Sequence, residues 1–231
     1  YYSAFAEWVA AQGHAILLYS YRTDPDPRQS NITMADWGIT DQDAALNTLI
    51  DLFPTTEIRV IGHSLGGFMT MFHDQADRIT SLTAACSGPA YWARTPFPHV
   101  IGAFGFWNVI GPLACKLTGA LPGRFLGTAD PTPASAFAQW RKWCGNRELH
   151  KPQWGRELPQ PDLTKFTGRL NLIGVSDDWM IPPNVAADLA PFYPSATPEF
   201  HTVTPAEAGT KSIGHLALFR PRAAKHWPKL L

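Results

Sequence analysis

The chain has 231 residues, enough for one sizeable α/β domain, and its 19 lysine and arginine residues balance 19 aspartate and glutamate residues. A net charge of zero gives no indication of a nucleic-acid partner or of an anionic membrane surface. The cysteines Cys86, Cys115 and Cys144 lack metal-type spacing, which favours reduced thiols in a cytoplasmic protein, with a single disulfide as the alternative.

Helix and strand patterns alternate through the first part of the chain. Residues 1–10 predict an amphipathic helix with Phe5, Trp8 and Val9 on one face. The near-continuous apolar run at residues 14–21 is typical of a parallel strand that is covered on both faces. A helix, a strand, a second helix and a second strand are then predicted at residues 33–53, 58–61, 65–74 and 79–85.

The alternation stops between residues 88 and 161, where proline and tryptophan are frequent. Such a segment, inserted between strands, predicts a cap of short helices and loops, so that residues 1–87 and 162–231 form the core. The apolar run at residues 100–115 is shorter than the ~20 residues that span a membrane, and it contains Asn108 and Pro112. We therefore expect a cap wall lining an apolar pocket, and no integral membrane span; an interfacial segment is the alternative.

The alternation resumes after the cap. Residues 170–175 predict a strand that ends at Asp177 and Asp178. A short helix, a strand and a terminal helix are predicted at residues 183–192, at residues 199–203 and from about residue 221. Strands that alternate with helices indicate an α/β fold, with a mostly parallel sheet and helices on both faces.

The turn between the strand at residues 58–61 and the following helix carries Gly62-His63-Ser64-Leu65-Gly66, which fits the nucleophile-turn pattern G-x-S-x-G. A serine on so sharp a turn has a strained backbone, and only residues without a Cβ leave room beside it. Because serine alone is a weak nucleophile, Ser64 needs a base and an orienting acid elsewhere in the chain.

Aspartate and histidine follow Ser64 in the order that this type of hydrolase uses. Asp178 stands four residues before Pro182 and is favoured as the acid, with Asp177 as the alternative. His215 is favoured as the base because it is late in the chain and follows Gly214 in the loop after the last strand. The competing histidines are His14, His63, His73, His99, His150, His201 and His226.

An oxyanion hole needs two donors, and one is predicted to be the backbone N–H of Leu65, which follows the nucleophile. The other normally comes from the loop before the first helix of the fold. Because the first helix pattern begins at the first residue, we expect that loop and the N-terminal strands to be missing from the sequence.

These residues resemble the α/β-hydrolase superfamily. More narrowly, the chain is similar to bacterial α/β-hydrolases without an assigned substrate, related to the serine aminopeptidase and monoacylglycerol-lipase branch. The matching pieces are residues 2–6, residues 19–22, Asp36-Trp37-Gly38 with Asp41, residues 62–67, Asp177-Asp178 with Pro182, and Gly214-His215 with Phe219-Arg220. The resemblance implies a serine-hydrolase fold and no particular substrate.

The sequence thus predicts hydrolysis of an ester or related acyl bond through an acyl-enzyme, without a metal or other cofactor. The aromatic cap favours a small, apolar or aryl substrate. Thioesterase or acyltransferase use of the same triad, and a non-catalytic binding protein on the same fold, are the alternatives.

Overall fold

A computed structural model of the chain describes residues 1–128 and 130–231. The described residues form two compact units. The first comprises Tyr1–Ser20, Gln42–Pro89 and Pro161–Leu231. The second comprises Tyr21–Asp41 and Ala90–Gln160.

The strands and helices alternate along much of the chain. The strands are β1 (Ile58–His63), β2 (Ile79–Ala85), β3 (Ala120–Leu121), β4 (Thr132–Pro133), β5 (Arg169–Val175) and β6 (Thr197–Val203). The α-helices are α1 (Ser3–Ala11), α2 (Gln42–Leu52), α3 (Leu65–Phe68), α4 (His99–Gly105), α5 (Gly111–Thr118), α6 (Ala134–Cys144), α7 (Pro183–Ala187) and α8 (Pro205–Ala208).

The first unit contains a four-stranded parallel sheet in the order β1-β2-β5-β6. All four strands were predicted from the sequence, and their positions are confirmed within a few residues. β5 is buried along its length except at Arg169, because it has a strand on either side and apolar neighbours on both faces. β6 is mostly exposed and lies at the edge of the sheet.

The predicted strand at residues 14–21 is wrong. Residues 14–20 have no regular secondary structure, and Ile16, Leu17, Leu18 and Tyr19 are exposed. A strand requires a neighbour that completes its main-chain hydrogen bonds. Among the described residues β1 pairs only with β2, so the apolar run lies alongside no partner strand.

The predicted helix at residues 65–74 is shorter than expected. α3 ends at Phe68, and a 3-10 turn follows at Thr70–Phe72. Side chains take the carbonyls that a longer helix would use: the Gly66 carbonyl accepts from Gln42 and Thr70, and the Gly67 carbonyl accepts from Tyr193. Two consecutive glycines also favour helix poorly.

The other helices require smaller corrections. The predicted helix at residues 33–53 exists, but it contains a wide π turn at Asp36–Asp41 before α2. The predicted short helix at residues 183–192 is α7 followed by a 3-10 turn at Ala190–Phe192. The terminal helix is a 3-10 helix at Pro221–Leu230.

The N-terminal and C-terminal helices share the core of the first unit. Phe5 and Val9 of α1 are buried, as the amphipathic pattern predicts. The Phe5 ring contacts Phe219 edge-to-face at a centroid distance of 5.2 Å, and Trp227 at 5.5 Å. The core therefore holds the chain on either side of His215 against the sheet residues Ile173, Val175 and Val203.

The second unit is mostly helical. α4, a π turn at Phe106–Ile110 and α5 form one continuous helical run. This run, His99–Thr118, has 20 residues and a mean hydropathy of 1.4, and 17% of its most apolar window is buried. By length and composition alone it could cross a membrane.

Candidate active site

Ser64 lies on the turn between β1 and α3 with φ 51° and ψ −117°, a backbone conformation that costs free energy for any residue with a Cβ. Hydrogen bonds hold the turn in this shape. The Ser64 N–H donates to the Ala85 carbonyl at 3.0 Å, and the Ser87 hydroxyl donates to the Ser64 carbonyl at 2.7 Å. The β2 end of the sheet thus fixes the main chain of the predicted nucleophile.

Gly62 and Gly67 stand in the turn because there is no space for a Cβ at either position. A Cβ on Gly62 would lie 2.5 Å from the Gly67 nitrogen and closer still to the backbone of Gly66. A Cβ on Gly67 would lie 2.6 Å from the Ser87 hydroxyl oxygen. The turn therefore brings main-chain atoms closer together than a residue with a side chain allows.

The structure brings the favoured acid, base and nucleophile together. The His215 Nε2 atom lies 3.1 Å from the Ser64 hydroxyl oxygen, and its Nδ1 atom lies 2.8 Å from Oδ2 of Asp178. The Asp178 carboxylate is fully buried, and 11% of the His215 side chain is exposed. A hydroxyl, an imidazole and a buried carboxylate in this chain of hydrogen bonds can generate a nucleophilic oxygen.

The two adjacent aspartates have different partners. Oδ1 of Asp178 accepts from the backbone N–H groups of Met180 and Ile181, which leaves Oδ2 for His215. The Asp177 carboxylate accepts from the backbone N–H groups of Ile213 and Gly214 instead. Asp178 therefore contacts the imidazole, while Asp177 holds the loop that carries it.

Leu65 is the first residue of α3, directly after Ser64. The N–H of a first helical residue has no partner inside its own helix. The N–H of Leu65 is the group that the sequence predicts as an oxyanion donor, and its place at the start of α3 agrees with that prediction.

His63 and Tyr2 form a contact that was not predicted from the sequence. The His63 Nδ1 atom lies 2.8 Å from the Tyr2 hydroxyl, and its Nε2 atom lies 2.8 Å from the backbone oxygen of His215. Burial, and then the charge of His215, lower the pKa of His63 from 6.5 to about 3. A neutral His63 with its proton on Nε2 donates to the His215 carbonyl and accepts from Tyr2, so it connects the loop that carries His215 to the turn that carries Ser64.

Cys86 is a second residue of the site that the sequence did not indicate. It follows β2, is fully buried and has a positive φ of 48°. Burial, and then the charge of Asp178, raise the pKa of the Cys86 thiol well above its usual range. The thiol therefore stays protonated and hydrogen-bonds to Asp178, which makes Cys86 another contact of the buried carboxylate.

Several other histidines have partners elsewhere in the structure. His73 pairs with Asp43 at 2.7 Å, and the Nε2 atom of His226 lies 3.0 Å from the Thr204 carbonyl oxygen. His201 lies in β6 with its imidazole 3.7 Å from the Glu199 carboxylate. In the described residues, the imidazole that hydrogen-bonds to Ser64 is that of His215.

Ligand atoms of His63, Cys86 and His215 lie within 4.8 Å of one another, a set that could hold a soft metal ion. Both ring nitrogens of His63 already have hydrogen-bond partners, and so have both ring nitrogens of His215. A metal ion would have to break these hydrogen bonds.

A surface cavity of about 590 Å³ lies within the second unit, between Arg22 and Asp36. Two of its charged groups are paired inside that unit: Arg22 with Asp41, and Asp26 with Arg28. None of the predicted site residues lines it.

No family model and no curated protein matches the chain. Among solved structures it is similar to Est816, described as an N-acyl homoserine lactone degrading enzyme, at 16% identity and a TM-score of 0.50, covering 90% of this chain and 77% of that chain. It is similar to MGS-MChE2, an α/β-hydrolase enzyme from the sediment metagenome of the Mar Chica lagoon, Morocco, at 16% identity and TM-score 0.40, covering 86% and 69%. It is also similar to olei00960, a hydrolase from Oleispira antarctica, at 13% identity and TM-score 0.41, covering 86% and 70%. The parallel sheet, its flanking helices and the similarity to Est816 show that the chain has the α/β-hydrolase fold.

Proposed function

We propose that this protein is a serine hydrolase of the α/β-hydrolase superfamily, which cleaves an ester or related acyl bond through an acyl-enzyme. One observation carries the proposal: His215 bridges the Ser64 hydroxyl at 3.1 Å and the buried Asp178 carboxylate at 2.8 Å. The chain order Ser64, Asp178, His215 supports it, because that order is the one used on this fold. We retain the aminopeptidase and monoacylglycerol-lipase branch as the proposed subgroup.

In the first half-reaction the Ser64 oxygen attacks the acyl carbonyl carbon while its proton passes to Nε2 of His215. The carbonyl oxygen becomes an oxyanion, which accepts from the Leu65 N–H. The imidazolium then gives its proton to the leaving-group oxygen as the carbon–oxygen bond breaks. Ser64 is left acylated and the alcohol departs.

In the second half-reaction a water molecule attacks the acyl carbon, and His215 takes a proton from that water. The bond to the Ser64 oxygen breaks, and the proton returns from His215 to Ser64. The products are a carboxylic acid and the free enzyme.

Asp178 has an orienting role in both half-reactions. Its hydrogen bond to Nδ1 places the unprotonated Nε2 towards Ser64, and its negative charge stabilises the imidazolium that forms. Asp177 acts indirectly, because its carboxylate accepts a hydrogen bond from the Gly214 N–H and so positions the backbone before His215.

The substrate we propose is small and carries an apolar or aryl acyl group. The aromatic composition of residues 88–161, which we propose as a cap, supports this preference. Thioesters and acyl transfer to an acceptor other than water use the same steps, so thioesterase and acyltransferase activity are the alternatives within the enzyme class. A non-catalytic binding protein is the alternative outside it.

Labelling with a fluorophosphonate probe tests the nucleophile. We expect wild type to label, Ser64→Ala not to label, and Ser195→Ala, a change at an exposed serine outside the site, to label like wild type. Absence of labelling in wild type, or equal labelling of wild type and Ser64→Ala, would contradict the proposal.

A panel of p-nitrophenyl esters tests the acyl group. We expect the highest kcat/KM for short to medium apolar or aryl acyl chains. A matched set of thioesters, and an N-acyl homoserine lactone suggested by the name of one structural neighbour, extend the panel. Activity confined to charged acyl groups would overturn the proposed preference.

A further inference from the structure

The helical run His99–Thr118 packs one of its faces inside the second unit. Trp107 is almost fully buried, with its ring stacked on Phe137 at a centroid distance of 5.8 Å and edge-to-face with Trp140 at 4.8 Å. The Trp107 carbonyl accepts from Arg141 of α6 at 2.6 Å. The run is therefore fixed along one side by its own unit, which excludes a helix surrounded by lipid on every side.

The opposite face is apolar and exposed to solvent. Ile101 and Phe104 of α4, and Leu113 and Leu117 of α5, are each at least half exposed. Phe104 and Leu113 are nine positions apart, a spacing that places them on opposite sides of a regular α-helix. The π turn at Phe106–Ile110 holds more residues per turn and brings Leu113 back towards the side of Phe104.

The sequence on either side of this helical run carries cations and no acidic residue. Between Asp77 and Asp130 the sequence contains no aspartate or glutamate, while Arg94, Lys116 and Arg124 are present and exposed. The second unit as a whole has ten lysine and arginine residues against seven acidic residues, a net charge of +3 in a chain whose total is zero. An apolar helical face accompanied by cations matches a surface that is apolar inside and anionic outside.

We propose that the exposed face of His99–Thr118 docks on a lipid surface that carries anionic headgroups, with the helix lying in the plane of the interface. The apolar side chains enter the boundary between headgroups and acyl chains, and the lysine and arginine side chains contact the headgroups. This inference is independent of the proposed catalysis, because no residue of this face lies in the site around Ser64.

Flotation with vesicles tests the docking. We expect wild type to float with vesicles of phosphatidylcholine mixed with phosphatidylglycerol, and to float far less with phosphatidylcholine alone. Raising the salt concentration weakens the binding, because the headgroup charges are screened. The double variant Ile101→Ser with Leu117→Ser binds roughly tenfold or more weakly, because two apolar side chains no longer enter the lipid.

Three controls make the result specific. Leu52→Ser changes an equally exposed leucine of the first unit and leaves binding unchanged. Ser64→Ala also floats like wild type, so failure of the proposed catalysis and failure of docking are distinguishable. Circular dichroism of the double variant checks that it is folded, and light scattering measures self-association.

Three outcomes would overturn the proposal. They are a wild-type protein that stays unbound to the anionic vesicles, a folded double variant that binds as tightly as wild type, and a dimer that Leu117→Ser dissociates. The last result would identify a second copy of the chain as the occupant of this face.

Discussion

The difference between Asp177 and Asp178 comes from the direction of their side chains. Adjacent residues in an extended segment project to opposite sides, so one carboxylate faces His215 and the other faces the backbone of Ile213 and Gly214. The sequence favoured Asp178 as the acid and kept Asp177 as the alternative. Periodicity shows that the two side chains point in opposite directions, but it does not show on which side His215 lies.

For this pair we predict unequal losses of activity. Asp178→Asn should lower kcat by about 10⁴, because an amide favours the wrong imidazole tautomer and supplies no charge. Asp177→Asn, the matched control, should have a much smaller effect, since its amide oxygen can still accept one backbone N–H. Ester hydrolysis by both purified variants measures the ratio, and equal losses would contradict the assignment.

His63 lies beside Ser64 in sequence but contacts the His215 main chain, 152 residues away. No local pattern reveals such a pairing, and the same is true of Tyr2. The sequence predicted that the turn directs the His63 side chain away from Ser64, and its two ring nitrogens lie against the Tyr2 hydroxyl and the His215 backbone oxygen.

We predict that His63→Phe lowers kcat by about 10- to 100-fold with little change in KM. The loop that carries His215 loses its hydrogen bond to His63, so His215 shifts relative to Ser64. Tyr2→Phe removes one hydroxyl and should have a smaller effect. Steady-state kinetics on a p-nitrophenyl ester check both variants. A change in KM alone would argue against a positioning role.

His63 also predicts how stability depends on pH. Its pKa is about 3 in the folded protein and 6.5 ordinarily, so between these values the unfolded chain binds the additional proton. The contribution of His63 to the free energy of unfolding has its full value above about pH 6.5 and decreases as the pH falls towards 3.

Urea unfolding across this range measures the dependence. His63→Phe cannot bind the proton, so its free energy of unfolding should fall less steeply between pH 6.5 and 3 than that of wild type. His226→Phe serves as the control for loss of a histidine that lies outside the site. Parallel curves for wild type and His63→Phe would show that His63 is not responsible.

At the scale of elements, two glycines make a matched pair. Gly62→Ala places a Cβ against the backbone of Gly66 and Gly67 and should destabilise the protein by about 1–3 kcal/mol. Gly102→Ala, in α4 with nothing near the new Cβ, should stabilise by about 0.5–1 kcal/mol, because alanine favours helix. Chemical denaturation compares the two, and equal effects would contradict the steric explanation of the turn.

Strand prediction succeeded where the strand has a neighbour and failed where it has none. β2 and β5 were predicted within one residue, since their apolar runs lie inside the sheet. Residues 14–20 have the same type of run, but pairing is a property of the whole sheet and cannot be read from one segment. Similarly, the early end of α3 depends on Gln42 and Tyr193, which lie far away in sequence.

At the scale of the molecule, the alternation of elements predicted the mostly parallel sheet, and the resemblance of the motif residues implied the α/β-hydrolase fold. It gave no indication that residues 21–41 pack with residues 90–160. Within that unit the Ser135 hydroxyl donates to the Ile32 carbonyl at 2.6 Å, and the Ala35 N–H donates to the Gln139 side chain at 2.8 Å. These are single contacts between distant residues, and no pattern of apolar residues encodes them.

The sheet order also predicts where the protein is most resistant to opening. β2 and β5 have strands on both sides, whereas β1 and β6 each pair with one described strand. We expect the amides of β2 and β5 to exchange most slowly with solvent deuterium and those of β6 most rapidly within the sheet. Peptide-level hydrogen exchange checks this ranking, and slower exchange in β6 than in β5 would contradict it.

The positive φ of Ser64 has a consequence for how the molecule can evolve. A glycine at this position would remove a local cost of order 1–3 kcal/mol, and with it the hydroxyl. Selection for heat tolerance alone would therefore favour loss of the proposed nucleophile, so selection for stability and selection for the proposed catalysis oppose each other at this one residue. Stabilising substitutions compatible with the proposed catalysis must therefore lie at other positions. The stability of the rest of the fold limits the free-energy cost that the turn at Ser64 can have.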